Sequence, residues 1–274
     1  MSAEAVQPGG GLPVKAPVVG TPISLTSYAD LLELVDQRPA DRALTIAFCN
    51  VHSVMTARRD PAVATALRRM DIATSDGMPL VWFLRRTACS AQDRVYGPDF
   101  MEAALPYGVE RGWKHYFYGA TPDTLAHLTE AAHRLAPGVQ VVGTYAPPYR
   151  ALTRDEQDEV AADIRASGAH CVWVGLGMPK QELWIDRMRE RLPGVALLAV
   201  GAAFDLLSGT VKQAPDWMQD RGLEWAYRLA KEPRRLWRRY LFNNPVFAVL
   251  ATRQLVFRGS GRQAVHAHAD RWGA

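Results

Sequence analysis

The chain is short of several features that would point directly to a chemistry. Cysteine is scarce, three in 274 residues, which excludes a disulfide-built scaffold. Cys49, Cys89 and Cys171 lie far apart, two of them inside apolar runs, and read as buried thiols of a reducing compartment. There is no Gly-x-Gly-x-x-Gly, no Gly-Lys-Ser/Thr P-loop and no Gly-x-Ser-x-Gly elbow, so the dinucleotide, P-loop and serine-nucleophile signatures are all missing. No Asp-x-Asp pair is present to hold a divalent ion on a nucleotide diphosphate. His115, His127, His133 and His170 share no ligand spacing and His266 and His268 fall in a polar tail, so no metal site is expected. The longest late apolar stretch, Pro245 to Phe257, is interrupted by Arg253 and is shorter than the roughly 20 residues a spanning helix needs. Residues 1–20 lack the basic start and apolar stretch of a secretory signal, and residues 1–24 read as a disordered lead-in.

What is present points to a folded α/β protein. Hydrophobic residues make up 48% of the chain, enough to exclude disorder as its main state. Between Leu44 and Ala199, short apolar or β-branched runs alternate with helical patterns, the mark of a parallel sheet with crossover helices. The expected strands are Leu44–Cys49, Ile72–Ser75, His115–Tyr118, Val139–Thr144, Cys171–Gly175 and Val195–Val200. Thr121-Pro122-Asp123 and the capping box Thr153-Arg-Asp-Glu156 each open a helix, and Met178-Pro179 starts another. After Gly201 the strands stop, and Pro215–Asp220, Leu223–Lys231 and Pro233–Phe242 read as helices. A boundary is therefore expected near residue 212, dividing a Rossmann-like catalytic domain over 25–212 from a basic helical appendage over 213–258, with a disordered tail over 259–274.

Charge is divided along the same line. The formal net charge is +4, but Arg221 to Arg262 contains ten basic residues against Glu224 and Glu232, a net +8 that leaves −4 on the rest. A basic segment on an acidic body suits an anionic partner: a membrane surface, nucleic acid or a phosphorylated ligand. No nucleic-acid-binding motif accompanies the charge. Arginines interleaved with Trp225, Trp237, Tyr240 and Phe242 suit an interfacial helix on anionic lipid.

Ligands of parallel sheets bind beyond the carboxyl ends of strands, and the residues there are distinctive. Asn50 follows the first strand, Asp76-Gly77-Met78 the second, Gly119-Ala-Thr the third, and Gly175-Leu-Gly177-Met-Pro179-Lys-Gln181-Glu182 the fifth. The last can bring backbone close to a diphosphate or sugar hydroxyl, or can be a tight turn that uses glycine for geometry. Gln181 and Glu182 can bind hydroxyls or cap the helix. Asp76 reads as a helix N-cap or as a general base, and one carboxylate can be both. Arg94 is either an anion binder or a solvated surface arginine. Asp205, within Gly201-Ala-Ala-Phe204-Asp205-Leu-Leu-Ser-Gly209, is a carboxylate in an apolar run that needs a partner or a ligand.

In order along the chain, these pieces resemble one family. Ser75-Asp76-Gly77-Met78, Arg94-Val-x-Gly97-x-Asp99, Gly175-x-Gly177-x-Pro179-x-Gln181-Glu182, Gly201-x-x-Phe204-Asp205-x-x-x-Gly209 and Ala214-Pro215-x-Trp217 carry the likeness. So does Gly222-Leu-Glu224-Trp225-x-x-Arg228-Leu-x-x-Glu232-Pro233-x-Arg235-x-x-Arg238-Arg239-Tyr240. The chain resembles the WecG/TagA/CpsF glycosyltransferases over about residues 25 to 245. The resemblance implies an inverting, metal-independent transfer with no cofactor, from a UDP-sugar to a polyprenyl-diphosphate-linked saccharide, at the cytoplasmic face of the plasma membrane. It implies Asp76 as the base, and Asn50, Arg94 and Gln181 as pocket residues. It also implies Arg228, Arg235 and Arg238 as appendage arginines that close over the leaving diphosphate. The family often has Thr two residues before the Asn, and Phe48 stands there instead. Asp76-Gly-Met-Pro-Leu-Val-Trp82 is nearer to exopolysaccharide branches, which implies glucose or another hexose as the sugar. A nucleotide-sugar-modifying enzyme and a non-catalytic membrane-docking module are the alternatives, and a homo-oligomer is compatible with either reading.

Overall fold

The computed structural model describes residues 11–258. It opens on a β-hairpin, β1 (Lys15–Val18) and β2 (Thr21–Ser24), where the sequence suggests a disordered lead-in. Ala16, Val18 and Ile23 alternate along the hairpin and all enter the core. Its two-residue turn has positive φ at both Val19 (+49°) and Gly20 (+87°), the combination that joins twisted strands tightly. The Ser24 hydroxyl accepts a bond from the Ala73 amide at 3.1 Å and fastens the hairpin to the sheet. Too few residues alternate here for the pattern to register. The expected lead-in at residues 1–10 and the tail at 259–274 lie outside the described residues.

The rest follows in alternation: α1 (Tyr28–Asp36), β3 (Leu44–Cys49), α2 (Val51–Arg59), α3 (Pro61–Arg69), β4 (Ile72–Ser75), α4 (Met78–Thr87), α5 (Gly97–Glu110), β5 (Lys114–Gly119), α6 (Pro122–Leu135), β6 (Gln140–Tyr145), α7 (Arg154–Ser167), β7 (Cys171–Gly175), α8 (Lys180–Met188), β8 (Ala196–Ala199) and α9 (Ala203–Leu207). Strands β3 to β8 form one six-stranded, all-parallel sheet in the order β4-β3-β8-β7-β5-β6. Each expected strand is found, with ends shifted by at most one residue.

Side chains alternate across the sheet and fill two cores. On one face Ala47, Cys49, Tyr118, Val172, Val174 and Leu197 meet α2, α3, α4, α7 and α8. On the other, Ile46, Phe48, Ile72, Phe117, Trp173 and Leu198 meet α1, α5, α6 and α9. Strands buried on both faces need near-continuous apolar runs, as β3 shows with all six residues buried. The caps form as their chemistry dictates: Thr121 accepts from Thr124 N, and Thr153 and Glu156 exchange bonds as a capping box.

Beyond β8 come α10 (Asp216–Asp220), α11 (Glu224–Lys231) and α12 (Pro233–Arg258). Helix α12 runs sixteen residues past the expected end at Phe242, through Pro245. Its second half does not stand apart from the body, because Phe247 and Ala251 are buried in the core beside α2. The Gln254 side chain accepts from Val19 N at 2.8 Å and donates to Pro17 O at 2.8 Å, closing the late helix on the hairpin turn.

Candidate active site

Strands β3 and β8 are neighbours, yet α2 after the first and α9 after the second pack on opposite faces of the sheet. A crevice opens where flanking helices diverge in this way. Here it is a cavity of about 670 Å³. Of the residues expected at the site, Asn50, Asp76, Gly77, Arg94, Gly175, Gly177, Gln181, Gly201, Asp205 and Arg228 line it.

Asn50 is the N-cap of α2: its Oδ1 accepts from His52 N at 3.0 Å and Ser53 N at 3.4 Å. Asp76 is not a cap, since Gly77 occupies the N-cap position of α4. The Asp76 amide donates to Cys49 O at 2.8 Å, which sets the residue across the end of β3. Its Oδ2 accepts from Gly97 N at 3.3 Å, at the start of α5. Burial raises this carboxyl to about 6, against the opposing pull of Arg94. A carboxylate with that value is largely ionised near neutral pH and is still basic enough to take a proton.

Arg94 is not a solvated surface residue. Its Nε donates to Asp76 O at 2.6 Å and its guanidinium pairs with Glu224 Oε2 at 2.5 Å. Glu224 Oε1 accepts from Tyr96 OH at 2.9 Å and pairs with Arg228 Nε at 2.9 Å, while Arg228 also donates to Tyr96 OH at 2.8 Å. Two arginines, a tyrosine and a glutamate thus form a connected cluster on the cavity wall beside Asp76.

The two readings of the glycine corner divide between its residues. A Cβ on Gly175 would stand 2.4 Å from the Phe204 ring, and one on Gly119 would stand 2.7 Å from the Gly175 carbonyl. Both are glycines for packing. A Cβ on Gly177 (φ +73°) would meet nothing within 4 Å, so of these three glycines Gly177 alone has open space beside it. Gly119 itself is not in the wall, where Ala120 takes its place. Pro179 immediately precedes α8 as its N-cap, rather than sitting inside the first turn, and is also outside the wall.

Glu182 does not reach the cavity and is fully buried beneath it. Gln181 Nε2 donates to Glu182 Oε1 at 3.0 Å and to Ala199 O at 2.9 Å. Gln181 Oε1 is buried without a hydrogen-bond partner. Burial raises the Glu182 carboxyl to about 7. The Phe48 ring packs at the cavity floor against Gly97 and Phe100, so that position offers a hydrophobic surface and no hydroxyl.

The late arginines divide as well. Arg228 joins the cluster, whereas Arg238 is exposed with its guanidinium 5.2 Å from the Trp237 ring and does not line the cavity. The Arg235 side chain lies outside the described residues. Tyr96, Glu224 and Asn243, which the sequence gives no site role, also line the cavity, and so do Trp225 and Tyr240, expected instead on an interfacial helix. Tyr96 and Glu224 fall inside the motifs already singled out, and their adjacency to Arg94 and Arg228 was the available signal. Among the described residues no three His, Cys, Asp or Glu side chains are grouped to hold a metal ion.

The Glycosyl transferase WecG/TagA/CpsF family matches residues 16–261. The match takes in the hairpin, the sheet, the cavity and α12, a wider span than the motifs alone suggest. The chain belongs to the WecG/TagA/CpsF family of glycosyltransferases, whose reaction calls for a nucleotide-sugar donor and a sugar acceptor.

Proposed function

We propose that this chain is an inverting hexosyltransferase that moves a sugar from a UDP-sugar to a polyprenyl-diphosphate-linked saccharide, for a cell-surface polysaccharide. The observation that carries this reading is Asp76: a buried carboxylate held at about 6, in a cavity that also contains Arg94 and Arg228. In the proposed step the acceptor hydroxyl oxygen attacks the anomeric carbon and its proton passes to the Asp76 carboxylate. The bond from that carbon to the UDP phosphate oxygen breaks, and UDP leaves with the electron pair. Base catalysis of this kind contributes roughly 10²–10⁴ in rate. Charge developing on the diphosphate is met by the Arg94 and Arg228 guanidinium groups, whose planar donors suit phosphate oxygens. The reading assigns that work to arginine without a metal ion.

The lipid end of the acceptor calls for a membrane surface, and α12 has a suitable face. Leu241, Phe242, Val246, Val249, Val256 and Phe257 are exposed along it, with exposed Arg234, Arg238 and Arg253 alongside. Among the described residues no helix is long and apolar enough to cross a membrane. A peripheral position on the inner face of the plasma membrane follows from this reading.

The test is transfer from radiolabelled UDP-sugars to a defined polyprenyl-diphosphate saccharide. Transfer that depends on acceptor lipid supports the proposal. Full turnover by Asp76→Asn would sink the base assignment, and a redox or epimerisation product formed without acceptor would favour a nucleotide-sugar-modifying enzyme.

A further inference from the structure

A carboxylate between two arginines is a poor choice for a wall that attracts an anion, because it cancels part of their charge. Glu224 nevertheless occupies that place, with its side chain only 14% exposed. Burial alone would raise its carboxyl, but Arg228 and Arg94 overcome this and hold it below the ordinary value, so it is ionised. Its two oxygens bind three groups from two parts of the fold. Arg94 and Tyr96 belong to the segment between α4 and α5, and Arg228 lies one turn along α11 from Glu224 itself. The same segment is fixed to the body, since Arg94 holds Asp76 O and Tyr96 N donates to Tyr28 OH at 2.9 Å.

We propose that Glu224 is a positioning residue that locks α11 onto the catalytic body and holds Arg94, Tyr96 and Arg228 as one donor array beside Asp76. Its negative charge also stands close to Asp76, since one guanidinium, that of Arg94, holds both the Asp76 carbonyl and Glu224, and both residues line the same cavity. The charged and titratable groups around that carboxyl are Arg94 and Tyr96 before α5, Tyr28 in α1, Cys49 at the end of β3, and Glu224 and Arg228 in α11. Of these, Arg94 and Arg228 favour the ionised base and Glu224 opposes it. Glu224 therefore keeps the base from becoming too weak under two nearby cations, and this second role rests on the proposed transfer reaction.

The experiment compares the full chain with Glu224→Gln, Glu224→Asp and Tyr96→Phe. Hydrogen exchange of α11 amides reads the lock without reference to activity, with the sheet amides as an internal standard for folding. Loss of a charged hydrogen-bond partner is expected to speed α11 exchange about 10-fold or more in Glu224→Gln. Tyr96→Phe, which removes one donor and no charge, should loosen α11 less. Unchanged α11 exchange in Glu224→Gln overturns the lock.

The pH profile of transfer reads the second role. Removing the negative charge should lower the acid limb of kcat/KM by about half to one pH unit in Glu224→Gln, while Glu224→Asp and Tyr96→Phe keep the wild-type limb. A limb that stays in place while activity falls overturns the electrostatic role and leaves Glu224 a purely mechanical fastening. If the wild-type chain transfers from no UDP-sugar, the proposed function fails, and the exchange result alone decides the lock.

Discussion

Folding raises the Asp76 carboxyl from its ordinary 3.8 to about 6, so the folded chain binds this proton more tightly than the unfolded one. The stability this contributes is fully present below about 3.8 and is lost as pH rises through about 6. At pH 8 the ionised group thus costs up to about 3 kcal/mol relative to an unperturbed carboxylate. Asp76→Asn removes the charge and keeps an oxygen for Gly97 N. It should raise the melting temperature at pH 8 but not at pH 3, while transfer falls by about 10²–10⁴. Scanning calorimetry at the two pH values beside the transfer assay checks both; a variant no more stable at pH 8 would mean that burial does not strain this group. For the wild-type chain, kcat/KM is expected to rise with pH through about 6, as the base loses its proton. A flat profile from pH 5 to 8 would assign the proton transfer elsewhere.

The individual residues differ in how far sequence reveals them. Asp76 stands out because it follows a strand in a parallel sheet, although cap and base look alike until Gly77 is found in the cap position. Glu182 looks like a pocket residue because Gln181 is its neighbour, but consecutive residues on a helix point about 100° apart. Gln181 reaches the cavity and Glu182 is sealed beneath it.

At the scale of elements, local chemistry is the readable part. The Thr121 and Thr153 caps and the apolar strands depend on residues within a few positions of one another, and all appear as expected. The corner from the last residue of β7 to the start of α8 is only half readable, because what surrounds a glycine is decided by distant residues. Gly175→Ala should overpack the Phe204 contact and cost about 1–3 kcal/mol. Gly177→Ala meets open space and should cost only the backbone strain of its positive φ, about 1–2 kcal/mol. Denaturant midpoints compare the two. Donor affinity should suffer in Gly177→Ala despite its milder stability loss, and equal donor affinities would deny Gly177 a place against the ligand.

Over the whole molecule, the C-terminal helices serve the body as well as the site. Phe247, Ala251 and Gln254 seal the α2 face and the hairpin turn, so truncation after Gln213 should destabilise the remaining body as well as abolish transfer. Gln254→Ala breaks only the fastening on Val19 and Pro17 and is expected to cost about 1–3 kcal/mol by urea unfolding. A cost near zero would mean that the hairpin turn is held by packing alone. Membrane docking is tested on another face: Leu241→Asp with Phe242→Asp should abolish flotation with anionic vesicles while the melting temperature holds, since both side chains are already exposed. Flotation equal to wild type would remove α12 as the docking surface.

The amino-acid sequence by itself determined the parallel α/β body, the apolar strands, the helix caps and the concentration of positive charge near the C-terminus. Each depends on composition or on residues close together in the chain. Only the tertiary structure decided that residues 15–24 form a hairpin, that α12 closes on it from more than 230 positions away, and that Glu224 joins Arg94 to Arg228. The hairpin is too short for its alternation to register in the sequence, while the Gln254 and Arg94–Glu224 contacts span 235 and 130 positions, and a carboxylate's partner, like the space around a glycine, is set by whatever the fold brings against it.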